Sequence, residues 1–324
     1  MRTLSFIRRR GLIDRQMFAA GALTAALLAI APPQSSSVLA ASTTAPTSTS
    51  AVVGAPVATR HPIAAVRPEP LKPPEYRLVY KFQANEDVHM PLSTDSRMVV
   101  QKGPATVTTT NQSTVERHFH VVSVDADGSA VVDLFIDSVK LSYSFNNGTP
   151  TTYDTSKKDT PPRGFEKVPE SVGPSGQVRF SPQGKMVRLA GSSPKPSTDP
   201  SENFLDLLPA KPVHVGDEWF DDIKIPVSIS RNLSQKITLR RRYTLESVDG
   251  DVATIRLRTV EITPVQEPMI RAQLVQRAPE GKITFSLARG QITIRDLNCN
   301  RTETGIMGEG SEIAATTHWK GSLR

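Results

Sequence analysis

"VVSVDADGSAVVDLFIDSV", from Val121 to Val139, sets Asp125, Asp127 and Gly128 between two apolar runs. Such a stretch can be a calcium loop, an acidic catalytic turn or a hairpin. "LESVDGDVATIRLRTVEI", Leu245–Ile262, decides between them. Ser123-Val124-Asp125 aligns with Ser247-Val248-Asp249, and Ala130, Val132 and Leu134 align with Ala253, Ile255 and Leu257. Ser129 and Asp133 have no oxygen-bearing counterpart in the second stretch, whereas Asp249-Gly250-Asp251-Val252 keeps the turn. A twelve-residue calcium loop also needs a glutamate at its end, and in the first stretch the glycine comes too early and no such glutamate follows. Asp and Gly accept the left-handed backbone of a tight turn, so both stretches read as hairpins.

The alignment extends in both directions. Arg117, Phe119 and Val121 meet Arg241, Tyr243 and Leu245. Downstream, "SGQVRFSPQGKM" (175–186) matches "EGKITFSLARGQI" (280–292), and upstream "ANEDV" (84–88) parallels "VGDEW" (215–219). Three blocks in the same order imply a duplicated β unit, 76–200 and 201–324. Side chains alternate along a strand, so Ala130, Val132, Leu134 and Ile136 share one face, as do Ala253, Ile255, Leu257 and Thr259. Those faces, with Phe119, Val121, Tyr243 and Leu245, are the expected core. The opposite faces carry Asp133, Asp137, His118 and His120 in the first unit against Arg256, Arg258, Arg242 and Thr244 in the second. That contrast suggests the acidic face of one unit meeting the basic face of the other. "YRLVYKF" (76–82) alternates like a further strand. "SENFLDLL" (201–208), stopped by Pro209, is the expected short helix.

The chain has 324 residues and a net charge of +7, with Arg2, Arg8, Arg9, Arg10 and Arg15 opposed only by Asp14 at its start. The excess therefore belongs mostly to residues 1–40. These have the layout of an export signal: a basic start, the apolar run "MFAAGALTAALLAIA" (17–31), then Val38 and Ala40 before a cleavage site. Retention as an N-terminal anchor is the alternative, and the only expected membrane contact. "RRGLI" (9–13) also fits a twin-arginine signal loosely. Residues 41–75, rich in Thr, Ala and Pro, read as a disordered tether. Outside the signal only "LRRRY" (239–243) is a basic cluster, so nucleic acid is not an expected partner.

Catalytic signatures are missing from the sequence. There is no nucleophile elbow, zinc-protease helix, phosphate loop or dinucleotide fingerprint, and "GPSG" (173–176) lacks the elbow frame. His118-x-His120 has a two-ligand metal spacing on a strand, but no third ligand is evident among His61, His89, His214 and His318, so exposed strand histidines are expected. Asp221 and Asp222, after Trp219-Phe220, fit either a carboxylate pair for hydrolysis or turn acids. Cys299, the only cysteine, cannot form an intramolecular disulfide and reads as a small buried residue. No catalytic, cofactor-binding or metal residue is assigned, and no cofactor is expected. The Asn-x-Ser/Thr sites at Asn111, Asn147, Asn232 and Asn300 are incidental in a bacterial protein.

The paired Gly-x-Ile-x-Phe-Ser blocks, "LLPAKPVHVGDEWF" (207–220) and "YTLESVDGDVATI" (243–255) resemble a family of exported, β-rich bacterial proteins of unknown function, frequent in planctomycete-type bacteria. More distantly, such sheets are similar to the half-barrels of LolA-like lipoprotein carriers. That resemblance implies a curved sheet whose apolar concave side takes acyl chains, and it transfers no functional residue. The expectation is a mainly antiparallel β protein of two pseudo-repeated units with one or two short helices behind a tether. It would be exported to the periplasm or cell envelope of a bacterium and bind a lipid or other apolar ligand without catalysing a reaction. The alternatives are a structural component of the envelope and an enzyme of unrecognised type.

Overall fold

A computed structural model describes residues 73–189, 203–230 and 233–323. The signal segment and nearly all of the tether lie outside them. The first half holds β1 (Asp87–His89), β2 (Leu92–Lys102), β3 (Ala105–Val124), β4 (Ala130–Phe145), β5 (Thr151–Asp154), β6 (Gly173–Phe180) and β7 (Met186–Arg188). The second holds β8 (Glu218–Ser230), β9 (Leu233–Asp249), β10 (Val252–Glu261), helix α1 (Pro268–Leu274), β11 (Glu280–Ser286), β12 (Gln291–Thr304) and β13 (Ser311–Ser322).

Among the described residues these strands form one curved, open antiparallel sheet. Its order is β7-β6-β4-β3-β2-β13-β12-β11-β10-β9-β8, with β1 laid against β3 and β5 against β4. Both halves therefore share a single sheet, and β13 lies between them, paired to β12 on one side and β2 on the other. The strand order β7-β6-β4-β3-β2 of the first half parallels β12-β11-β10-β9-β8 of the second.

The alternation read from the sequence sets the buried face. Ala130, Val132 and Leu134 point into the concavity with Phe119 and Val121, as do Ala253, Ile255, Leu257, Tyr243 and Leu245. Ile136 is half-buried in a neighbouring cluster, and Thr259 is buried. Both hairpins form: β3–β4 turns at Asp125–Ser129 with Gly128 at φ +79°, and β9–β10 turns at Gly250-Asp251 with Gly250 at φ +55°. The entry segments are held alike. Asn85 N donates to Val121 O and Val121 N to Glu86 O. Gly216 N donates to Leu245 O and Leu245 N to Asp217 O.

Three expectations are corrected. Residues 76–82 do not form a strand. After one bridge, Tyr76 to Val213, they run as an extended strap over the concave face, and Tyr80 N donates to Pro182 O while Lys81 N donates to Gly290 O. This strap is thus pinned by the β6–β7 turn and the β11–β12 turn, one from each half. Over 203–208, the described part of the expected helix, the chain is a second strap. Leu205 and Leu208 point into the core because the segment lies on the sheet, not because of helical spacing. The acidic and basic outer faces do not meet. Asp133 accepts from Gln177 and Asp137 pairs with His118, whereas Arg242 pairs with Glu218 and Arg256 with Glu246. Each half satisfies its charges locally, since β2, β13, β12 and β11 separate the two regions.

The single α-helix described, α1, begins at Pro268 and packs on strands of both halves. Ile270 and Leu274 pack on Ile225, Val227, Ile237 and Leu239, while Ala272 joins Met98, Ile313 and Ala315. Its Gln273 side chain bonds both the N–H and the C=O of Ser228 on the edge strand β8, standing in for a neighbouring strand. With Pro226 in the same strand, this blunts an edge that would otherwise invite pairing.

Candidate functional site

The concave face is occupied by the chain itself. Leu78 and Tyr80 of the first strap and Leu205 and Leu208 of the second join the main core cluster, and Trp219 Nε1 donates to Leu207 O at 2.7 Å. Clefts beside the straps include one between Tyr80, Phe82, Phe119 and Leu205 and another between Met90, Arg117 and Arg295. Each encloses about 10 Å³, room for about one water molecule.

Beneath the second strap the concave face turns polar. The inward alternation of β3, β9 and β12 places Arg117, Arg241 and Arg295 there, all buried, around Asp206. Arg295 donates through Nε and Nη2 to Asp206 Oδ2 at 2.9 and 2.5 Å, and through Nη1 to Asn203 O at 3.1 Å. Arg117 donates to Asn203 O and Met90 O and stacks over Phe204, 4.6 Å from the ring centre. The Tyr80 hydroxyl donates to Asp206 O and the Tyr243 hydroxyl to Asp206 Oδ1. Arg241 is served least well. Its Nη1 lies 3.8 Å from Asp221 and its buried Nε has no hydrogen-bond partner.

Burial governs the electrostatics. Desolvation lowers the pKa of Arg295, but the charge and hydrogen bonds of Asp206 outweigh it, and the net shift is upward. Both phenols, Tyr80 and Tyr243, are pushed well above the ordinary phenol range, first by burial and then by Asp206. They act as neutral hydrogen-bond donors. Burial raises Asp221, with Arg241 partly opposing.

On the outer face of the first half lies a row of histidines and aspartates. Pairing of β1 with β3 sets His89 opposite His118 and Asp87 opposite His120. His120 Nδ1 is 2.7 Å from Asp87, and His118 Nδ1 is 2.9 Å from Asp137. The β3–β4 pairing steps from Arg117–Ile136 to Glu116–Ser138, which leaves Asp137 as the extra residue of a β-bulge beside His118. His118 is stacked on Phe135, with centroids 4.7 Å apart and planes at 7°.

The other sequence candidates separate. Asp125 and Asp127 are bound by Arg179, and Asp127 also accepts from Ser129 N, so their oxygens serve the turn. In "LRRRY", Leu239, Arg241 and Tyr243 face inward, while Arg240 and Arg242 are paired with Asp222 and Glu218. That leaves no basic patch on β9. Asp221 faces inward and Asp222 outward, so they do not act as a pair. "GPSG" is the start of β6. Cys299 is buried, donates to Val275 O, and has its pKa raised by burial. His214 contacts Asp217 and Glu75, and His318 contacts Asp296; His61 lies outside the described residues. Sequence reasoning missed Asp206 and the approach of His89 and Asp137 to His118. The kept Arg117/Arg241 pair was the available signal for the buried cluster.

No family model and no curated protein matches the chain. Among solved structures, a DUF1329 family protein from Desulfovibrio piger is similar over 72% of this chain and 85% of that chain, with 10% identity and a TM-score of 0.16. A likeness of that size carries no argument about this chain. No described helix is long and apolar enough to cross a membrane.

Proposed function

We propose that the chain is an exported bacterial binding protein, without catalytic activity, for an amphiphile with an apolar tail and an anionic head. In the state described here, its own second strap fills the ligand's place. The observation that carries this reading is the cluster of Arg117, Arg241 and Arg295 on an otherwise apolar concave face, with Asp206 of the strap as its central anion and one buried guanidinium nitrogen unmatched. Buried cations without full pairing are costly, and they mark places that an anion can occupy. Leu205 and Leu208 beside Asp206 combine an apolar body with a carboxylate, as a fatty acid does. The signal-like N-terminus and the resemblance to exported β-rich bacterial proteins support the location.

Asp206→Ala in the full chain tests it. Removing one partner of a buried ion pair costs about 3–5 kcal/mol, so the variant melts lower. If the arginines can take a ligand headgroup, palmitate restores stability to the variant more than to the unaltered chain, and native mass spectrometry detects the adduct. Absence of palmitate from both forms would overturn the reading. The filled concave face would then favour a structural component of the envelope, read out as retention in envelope fractions.

A further inference from the structure

We propose that His89, His118 and Asp137 form a binding site for a divalent transition-metal ion on the outer face of the sheet. The three come from β1, β3 and β4, and each can place one ligand atom within 4.8 Å of the other two. A tetrahedral zinc site with bonds of about 2.1 Å needs donors about 3.4 Å apart. His118 and Asp137 are already closer than that, at 2.9 Å. The His89 ring, with its centroid 5.0 Å from that of His118, is exposed and free to swing the remaining distance.

The surroundings suit such an ion. Stacking on Phe135 restricts rotation of His118, the central ligand. The bulge carries Asp137 to its side. Asp87 and Asp133 lie on the same face, each paired with a neutral or titratable partner, His120 and Gln177, not with a lysine or arginine. The site is thus acidic around two imidazoles. Imidazole donors select zinc, nickel or copper over calcium and magnesium. Two imidazoles and one carboxylate leave a fourth position for water or an external ligand. The second half offers a contrast within the same chain. The positions aligned with His89 and His118 hold Phe220 and Arg242, and Arg242 is tied to Glu218. This proposal does not depend on the amphiphile reading, since it concerns the opposite face.

The experiment is titration of the chelator-treated full chain with Zn²⁺ by calorimetry and with Co²⁺ by visible absorption. One equivalent binds, and the cobalt form develops the intense bands of a low-symmetry four-coordinate site. His89→Gln and Asp137→Asn, made separately, each weaken binding by more than about tenfold, the loss that even an outer-shell partner can cause. His318→Gln, which alters the exposed pair with Asp296 on β12, leaves binding unchanged. Circular dichroism verifies that each variant is folded. Absence of Zn²⁺ binding, or binding that survives both substitutions, overturns the proposal. So does an equal loss with His318→Gln, which would mean scattered attachment to surface histidines.

Discussion

Arg241 and Asp221 are a pair held at arm's length: 3.8 Å apart, the guanidinium almost fully buried and the carboxylate mostly so. Burial holds the Asp221 carboxyl above the usual carboxylate range. Its folded pKa therefore exceeds its unfolded one. The stability it contributes is complete below the unfolded value and is lost as pH rises through the folded value. Asp221→Asn removes that dependence. Measured by urea unfolding, the variant should gain on the unaltered chain as pH rises from the ordinary carboxylate range through the raised one. A stability difference that stays constant over that range would refute the assignment. Part of this chemistry was legible in the sequence. The Arg117/Arg241 correspondence is visible on alignment, and the alternation with Phe119 and Tyr243 puts both arginines inward. Asp206 was not legible, because "SENFLDLL" carries its leucines at a spacing that suits a helix equally well. Only the sheet beneath the strap decides which backbone buries them.

At the scale of elements, the Gly-x-Ile-x-Phe-Ser blocks show why a motif without chemistry persists in both halves. Gly176 pairs with Leu134 and Gly281 with Leu257, and both glycines have positive φ, +119° and +153°. At Gly281 an added Cβ would lie 2.2 Å from the Asp296 carbonyl oxygen of β12, so strand backbones approach there as no other residue permits. Gly281→Ala is expected to lose at least about 1–3 kcal/mol from backbone conformation alone, with the close approach adding to it. The same change at Gly103, which has open space around it, lacks the second penalty. Chemical denaturation of the two variants compares them, and equal losses would contradict the role given to the β11–β12 contact. The hairpins were predictable because turn chemistry and alternation are local. The histidine site was not. β1 is three residues long, is cut off by Pro91, and reaches His118 only through pairing that no local pattern announces.

At the scale of the whole molecule, the described residues form one sheet with one main core. Leu78, Phe119, Val132, Tyr243, Ile255 and Trp319 belong to the same cluster although they come from both ends of the described chain. Two halves with separate cores would melt separately; a shared core and a shared sheet impose one transition. The chain's two tryptophans, Trp219 and Trp319, are buried in that cluster, on β8 and β13. Their fluorescence and far-UV circular dichroism should report the same midpoint in urea. Two midpoints would mean that the halves unfold independently. The sequence displayed the two halves but not their union, because similarity between units says nothing about whether they lie side by side, face to face or apart.

The place of β13 also sets a timetable. β2 is among the first strands to be made, yet its neighbour on one side, from Ser311 to Gly321, is made after every other strand described. Until then β2 and β12 each keep an open edge, and contacts so distant in sequence form slowly. Two unpaired edges during that wait are an opening for association between nascent chains. The chain is therefore most exposed to aggregation while it is being made, and a holding chaperone would matter most before Ser311 is available to pair.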